Sequence, residues 1–365
     1  MRMQIEKDLL LQRILIASRF TSDKLHSGTA LQGILFDVKE KKLFIYATDL
    51  NTYYHTKIDV DTEDIASCVV EPQRIIEFLQ LLQAGTVEVE FNENTITFVQ
   101  GKTKGQFPVL SAQDFPLPPE ITEATIPLKT SLFTDTLPFI LFTASSDDSR
   151  PVLTGVNFVN TDEEFIIVST DGFRLSIFKE KQKGEIASMI IPADFLRELL
   201  KNIRSEKEIQ FCHSTKEHMV RFETAEGVFY SRLIDGEFPP FEKVIPAEKK
   251  TTVTVKKDEL MRNVKLISIF ARDFSNVVVC EFEKGNLTIR PKKEGNKENT
   301  TSQDIVFEGE PQQVAFNYKY LIEFLNHCAS DNVIIEILRT DAPIVFKAEG
   351  NETFFHIIMP IRIQE

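Results

Sequence analysis

The sequence predicts an α+β protein built from tandem copies of one small domain, each copy two helices packed on antiparallel sheets. Three observations carry that prediction. Two stretches recur at a constant offset of 122 positions. Leu31-Gln-Gly-Ile-Leu-Phe-Asp-Val and Leu43-Phe-Ile-Tyr-Ala-Thr-Asp-Leu read against Leu153-Thr-Gly-Val-Asn-Phe-Val-Asn and Phe165-Ile-Ile-Val-Ser-Thr-Asp-Gly. Gly33 thereby matches Gly155, and Thr48-Asp49 matches Thr170-Asp171. A period this long is a domain, not a solenoid unit. The hydrophobic pattern of each third also runs in one order: helix, strand pair, helix, strands. Finally, 365 residues at 42% hydrophobic and 27% charged suffice for two or three separate cores.

The elements follow in order. Met1-Arg-Met-Gln-Ile-Glu-Lys-Asp mixes charges before any apolar run, so it reads as a first strand rather than a signal peptide. Helical stretches cover Glu6 to Phe20, Lys129 to Ser145 and Lys256 to Ala271. Strand pairs rich in β-branched and aromatic residues come next: 31–38 with 43–48, 153–160 with 165–170, and 276–282 with 286–290. Second helices begin at Pro72 and Pro192, with proline in the first turn, and at Tyr318, where Asn317 is the cap. Strands at 86–91 and 95–100, 208–213 and 219–223, and 333–338 and 344–348 close the copies. Phe115-Pro-Leu-Pro-Pro and Phe238-Pro-Pro-Phe stiffen the chain where it leaves a sheet. The domains expected are 1–121, 122–249 and 250–365. Lys292 to Gln303 is polar and glycine-interrupted, a solvated loop.

Net charge is −13, divided −5, −6 and −2 among the three thirds. A wholly basic domain is therefore excluded, and a nucleic-acid role needs a local basic surface inside an acidic shell. No apolar run reaches the roughly 18 residues of a membrane span, and a cytoplasmic location is expected. Cys68, Cys212, Cys280 and Cys328 are scattered in apolar or strand-like settings, as expected of buried free thiols.

No catalytic site assembles. Gly101-Lys-Thr lacks the glycine five residues earlier that a phosphate loop needs, since position 96 is Ile, and reads as a basic hairpin. Cys212, His213 and His218 fit no zinc spacing, so no metal is expected. Asp147-Asp148 is a solvated turn without a partner for acid–base work. Neither an enzyme nor a bound cofactor is expected.

Two helices carry basic faces. With 100° per residue and Arg197 at zero, Lys201 falls at about 40° and Arg204 at about 340°, away from Phe195, Leu196, Leu199, Leu200 and Ile203. With Arg262 at zero, Lys265 and Arg272 fall at about 300° and 280°, away from Leu260, Val264, Ile267 and Ala271. A discontinuous basic lining grips phosphates loosely and without sequence preference, which suits sliding. The first helix gives no clean stripe, because Lys7, Arg13 and Arg19 are spread around it.

Several segments resemble the bacterial sliding clamp family, the beta subunit of DNA polymerase III. They are Ser169-Thr-Asp-Gly-Phe-Arg-Leu-Ser, Leu233-Ile-Asp-Gly-Glu-Phe-Pro-Pro-Phe, Phe316-Asn-Tyr-Lys-Tyr-Leu and His356-Ile-Ile-Met-Pro-Ile-Arg, in the family's order along the whole chain. The resemblance implies three tandem clamp domains per protomer and a head-to-tail dimeric ring. Helices would line a hole that encircles duplex DNA, with Arg197, Lys201, Arg204, Arg262, Lys265 and Arg272 facing it. It implies as partners double-stranded DNA, the replicative DNA polymerase, an ATP-driven clamp loader and other clamp-binding peptides. It also implies a partner-peptide groove of Leu153, Thr170, Gly172, Phe173, Arg174, Leu175, Pro239, Lys243, Val244, Asn317, Tyr320, Pro343, Ile358, Met359, Pro360, Ile361 and Arg362. Phe173 stands where the family usually has His, and Lys243 where Arg is common. For the dimer interface the matching positions are Phe107 and Val109 on one side, Ile269 and Phe270 on the other. Ile269 falls within the basic stripe, where it has no core to enter. The competing reading is a scaffold of repeated α+β domains that binds protein partners without encircling DNA.

Overall fold

In the computed structural model, which describes residues 1–22, 29–181, 185–272, 275–292 and 299–362, one element order recurs three times. Each time it is strand, helix, a run of strands, helix, three strands. The first copy comprises β1 (Arg2–Glu6), α1 (Lys7–Ala17), β2 (Ile34–Lys39), β3 (Lys42–Thr48), β4 (Thr52–Asp59) and β5 (Ala66–Val70). It continues with α2 (Pro72–Leu81), β6 (Thr86–Phe91), β7 (Thr95–Gln100) and β8 (Thr103–Leu110). The middle copy has β9 (Ile126–Lys129), α3 (Ser131–Thr134), α4 (Leu137–Leu141), β10 (Gly155–Asn160), β11 (Phe165–Thr170) and β12 (Arg174–Glu180). Then come β13 (Met189–Pro192), α5 (Ala193–Lys201), β14 (Glu208–Ser214), β15 (Met219–Thr224) and β16 (Gly227–Arg232). The third has β17 (Thr251–Lys256), α6 (Lys257–Ala271), β18 (Val277–Glu283), β19 (Asn286–Pro291), β20 (Thr301–Asp304) and β21 (Val306–Gly309). It closes with β22 (Gln312–Asn317), α7 (Tyr318–His327), β23 (Asn332–Ile337), β24 (Ile344–Ala348) and β25 (Phe354–Ile358).

The described residues gather into two compact units, 1–130 with 195–233, and 131–194 with 234–365. The first holds one twelve-stranded sheet, β1-β6-β7-β8-β5-β2-β3-β4-β16-β15-β14-β9. The second holds a nine-stranded sheet, β13-β10-β11-β12-β25-β24-β23-β17-β21, and a four-stranded one, β20-β19-β18-β22. The middle copy is divided because its strands pair with its neighbours at both ends. β4 meets β16 at Tyr53 and Tyr230, and β12 meets β25 at Arg174 and Ile358. Such pairing removes exposed sheet edges within the chain. At each junction the connecting segment lays one apolar side chain over the joined sheet. Ile121 packs with Tyr53, Cys212, Met219 and Tyr230, and Phe241 with Leu175, Ile177, Val345 and Ile357.

The repeated residues prove to be structural equivalents. A β-carbon on Gly33 would lie 2.4 Å from Val69 Cγ1, and one on Gly155 the same distance from Ile190 Cγ2, so neighbouring strands approach closely only over glycine. After β3, Thr48 Oγ1 donates to Thr52 O at 2.7 Å and accepts from Leu50 N, while Asp49 Oδ1 accepts from Asn51 N and Thr52 N. After β11, Thr170 Oγ1 donates to Arg174 O at 2.6 Å and accepts from Gly172 N, while Asp171 Oδ1 accepts from Phe173 N and Arg174 N. Thr-Asp is thus one self-bonded turn used twice.

Five expectations need correction. The helix over 129–145 is instead strand β9 and two short helices, because Pro138 cannot donate into a preceding turn and α4 restarts there. Residues 29–32 and 151–154 are 3₁₀ turns, so the strands begin only after them. The first helix tightens to 3₁₀ from Ser18. Pro192 ends β13 and does not open α5. Asn317 does cap α7, its side chain accepting from Lys319 N at 3.1 Å. The solvated loop expected at Lys292 to Gln303 is cut short, since Thr301 to Gln303 open β20 with Gln303 buried, while residues 293–298 lie outside the described residues. No helix among the described residues is long and apolar enough to cross a membrane.

Candidate functional site

The Thr170–Asp171 turn brings the chain into Arg174, whose side chain lies inside the fold. Its backbone N and its Nε go to Asp171, the latter at 3.0 Å; Nη2 donates to Phe142 O at 3.0 Å, and Nη1 pairs with Glu323. The guanidinium also lies 4.6 Å from the Tyr320 ring centre and 5.6 Å from that of Phe142. Asp171 and Phe142 belong to the middle copy, Tyr320 and Glu323 to α7 of the third. Arg174 therefore ties the two copies together where their strands meet. Three of its five N–H donors are used in that tie.

The other expected groove positions divide by exposure. Leu153, Thr170, Leu175 and Ile358 are buried and form a floor. Phe173, at 58% exposure, stands clear at the turn; Gly172, Pro239, Lys243, Val244 and Arg362 are exposed as well. Asn317, Tyr320, Pro343, Met359, Pro360 and Ile361 are half-buried. Backbone pairing draws several together. Met359 N donates to Phe173 O at 2.9 Å, and Ile361 N to Ala315 O at 2.8 Å. Ile361 rests on Val277, Val279 and Ala315. The pleat then splits the set, with Arg174 toward α4 and α7, and Leu175 toward Phe241 and the connecting segment. Burial and Asp171 raise the Tyr320 hydroxyl above its ordinary range against the pull of Arg174, so it stays a neutral hydrogen-bonding tip. Beneath it, burial and then Arg174 hold His356 well below the usual imidazole value; its Nδ1 meets Ser176 Oγ at 2.9 Å.

α5 ends at Lys201, so Arg204 lies just past the helix and not on its expected basic face; in the first unit Lys201 and Arg204 meet Arg13 and Arg19 through two shared carboxylates. Glu198 takes Lys201 Nζ at 2.5 Å and Arg19 Nη1 at 3.1 Å. Glu226, in the β15–β16 turn, takes Arg13 Nη1 at 2.5 Å, Arg204 Nε at 3.5 Å and Gln12 Nε2 at 2.6 Å. Arg13 and Arg19 were missed in the sequence because helical angles on α1 alone show no stripe. What gathers them lies far along the chain, Glu198 on α5 for Arg19 and Glu226 in the β15–β16 turn for Arg13. Arg197 is half-buried on the same helix. Phe195, Leu196, Leu199 and Ile203 are buried as the periodicity requires.

On α6, Leu260, Val264, Ile267 and Ala271 are buried, and Arg262, Lys265 and Arg272 are exposed. Arg262 Nη2 is 3.6 Å from Glu259. Leu266, Ile269 and Phe270 share the exposed side, Ile269 at 58%. A hollow of about 490 Å³ runs along it, lined by Asp258, Met261, Arg262, Lys265, Leu266 and Ile269. In the first unit, Phe107 stands edge-on to Phe78 and Phe98, at 5.6 and 5.8 Å between ring centres. Val109 pairs with Val70. Only Val109 and Leu110 of β8 meet β5, so from Thr103 to Pro108 one edge has no partner strand among the described residues. β20 and β21 likewise each pair on one side only.

The remaining chemically capable residues are structural. Cys68 and Cys280 are pushed up to about 12 by burial, and all four cysteines are free. Cys212 and His213 lie in β14 and His218 in the turn beyond it; among the described residues no group of three or more His, Cys, Asp and Glu could hold a metal. Asp147 accepts from Ser149 and Arg150 within its own turn. Gly101 turns β7 into β8 with a left-handed φ of 59°.

Comparison with known proteins gives concordant results along the chain. Three family models match: DNA polymerase III beta subunit, N-terminal domain over residues 1–119, central domain over 127–240 and C-terminal domain over 242–362. The beta sliding clamp of Staphylococcus aureus is 27% identical over 349 residues, covering 91% of this chain and 92% of that protein. The beta sliding clamp of Bacillus subtilis is 27% identical over 311 residues, covering 83% and 82%. The crystal structure of the Thermotoga maritima DNA polymerase III beta subunit superposes with a TM-score of 0.91 at 25% identity, covering both chains completely.

Proposed function

Because the chain belongs to the DNA polymerase III beta subunit family, we propose that it acts as a DNA sliding clamp, a ring that encircles duplex DNA and tethers the replicative polymerase. The observation that carries this reading is the match of all three domain models, in order, along one chain whose copies repeat a single architecture. The protein is a processivity factor and performs no chemistry. Its work is topological: a closed ring cannot leave a long duplex sideways, so contact with DNA can be weak.

The lining would draw on Arg197, Lys201 and Arg204 with Arg13 and Arg19, and on Arg262, Lys265 and Arg272. Support comes from the exposure of Arg204, Arg262, Lys265 and Arg272 and from the partly exposed pairing of Arg19 and Lys201 with Glu198. Acidic surroundings repel a duplex at range, while such cations meet phosphates within a Debye length of about 8 Å. The dimer would close head to tail through Phe107 and Val109 of one protomer against Ile269 and Phe270 of the other. Favouring this are the apolar residues left exposed on α6 and the unpaired edges of β8, β20 and β21, which invite strand addition.

Partner peptides would dock where Phe173, Val244, Tyr320, Pro343, Met359 and Pro360 offer apolar surface rimmed by Lys243 and Arg362. Met359 can adapt its shape to different anchors. The finer partner set, an ATP-driven clamp loader and clamp-binding peptides other than the polymerase's, follows from the same reading. The domains would run 1–121, 122–249 and 250–365.

The deciding experiment loads the protein on nicked circular duplex and follows it by gel filtration before and after linearisation. Retention on the circle with loss on the linear form is the expected outcome. Equal retention on both, or on neither, would leave a partner-binding scaffold as the better account.

A further inference from the structure

Arg13 and Arg19 come from the first helix and its 3₁₀ end, Lys201 and Arg204 from the end of α5 and the chain just past it, and the four share two carboxylates, each placed between cations of both segments. Glu198 sits between Arg19 and Lys201, and Glu226 between Arg13 and Arg204. A carboxylate held in that position makes the contacts a phosphate oxygen would make. The two are not alike. Glu226 is buried, receives Gln12 as well, and its backbone carbonyl accepts from Arg13 and from Tyr54 Oη at 2.8 Å. It is fixed. Glu198 is partly exposed, and its partners Arg19 and Lys201 are about half exposed. Ion pairs this wet are weak and screened by salt, so they part readily.

We propose that Glu198 is a built-in brake on DNA binding: a counter-anion that occupies the phosphate position between Arg19 and Lys201 and yields it only transiently. Glu226 stays in place and offsets one of the two positive charges of the neighbouring Arg13–Arg204 pair. The proposal rests on the DNA-encircling reading and names how that surface is tuned. A phosphate engaged between Arg19 and Lys201 must displace Glu198, so the gain from that contact is the difference between two similar ion pairs. Residence is short, and the duplex passes from one cation to the next without a deep minimum. Retention comes from closure of the ring, which frees the lining to be nearly neutral.

The test measures binding of the purified full-length protein to a fluorescein-labelled duplex by anisotropy, from about 50 to 200 mM salt. Glu198→Gln removes the charge and keeps the shape. It is expected to bind at least about threefold more tightly at the lowest salt, with the slope of log K against log salt steeper by roughly one to two. Glu63→Gln is the matched control, since Glu63 is an exposed carboxylate of the first copy paired with Lys41 and with none of these four cations. An equal gain in the control overturns the proposal, because net charge alone would then explain it. So does binding by Glu198→Gln no tighter than the parent protein when thermal melting shows both folded. Adding Arg19→Gln to Glu198→Gln should cancel most of the gain, and failure to do so also counts against it. If none of the proteins binds duplex or is retained on circular DNA, the DNA reading itself falls and the brake with it.

Discussion

Arg174 carries more of the molecule than its place in a short motif implies. Its side chain is 9% exposed and it bridges Asp171, Phe142, Tyr320 and Glu323, so it serves two copies at once. Loss of one member of a buried, hydrogen-bonded pair costs about 3–5 kcal/mol because the other charge is stranded. Glu323 keeps 43% exposure and can recover water, which lowers the expected cost of Arg174→Ala to about 2–3 kcal/mol. Chemical denaturation should show that loss. Arg174→Lys should recover only a minor part, since one ammonium cannot satisfy Asp171, Glu323 and the Phe142 carbonyl together. A variant as stable as the parent would mean the network contributes little. The sequence marks this arginine only through resemblance, and its inward direction is invisible there, because two of its partners lie about 150 residues away.

At the scale of elements, the Thr-Asp turn is the clearest case of local sequence dictating local structure. Thr48-Asp49 and Thr170-Asp171 bond to their own backbones in the same pattern. The residue after each Asp has positive φ, 76° at Leu50 and 93° at Gly172. Glycine adopts that backbone without strain, whereas Leu50 is held there by its neighbours. The second turn then presents Phe173 beside Met359. Because the chain contains no Trp, Phe173→Trp supplies a single fluorophore at the groove's edge. A short peptide with aromatic and aliphatic anchors should shift its emission, and Met359→Ala in that background should weaken binding about tenfold, the loss of part of one buried side chain. Emission indifferent to peptide, or affinity unchanged by Met359→Ala, would place the groove elsewhere.

For the whole molecule, the ring we propose needs a second copy. Ile269 and Phe270 are 58% and 43% exposed on a helix whose opposite face is fully buried. Val306 on the strand at the sheet edge is 72% exposed. A carboxylate in a dry interface costs several kcal/mol, enough to change micromolar association into none. Ile269→Asp with Phe270→Asp should therefore give a folded monomer by light scattering, with melting unaltered, where the parent protein runs as a dimer. A dimeric double variant would move the interface away from α6.

What could be read from residues alone was whatever depends on near neighbours and on period. The 122-residue repeat, the helix faces of α5 and α6, the Asn317 cap and the closing strands are of this kind, since 3.6- and 2-residue periodicities need no knowledge of the far chain. The family resemblance added the overall plan. The break of the expected helix at 129–145, the splitting of the middle copy between two sheets, the burial of Arg174 and the meeting of Arg13 and Arg19 with α5 required coordinates. The helix break has a local cause in Pro138, while the other three arise from which distant edges and helices pack together. That choice is made by the summed burial of many weak contacts, and no single segment of sequence contains it.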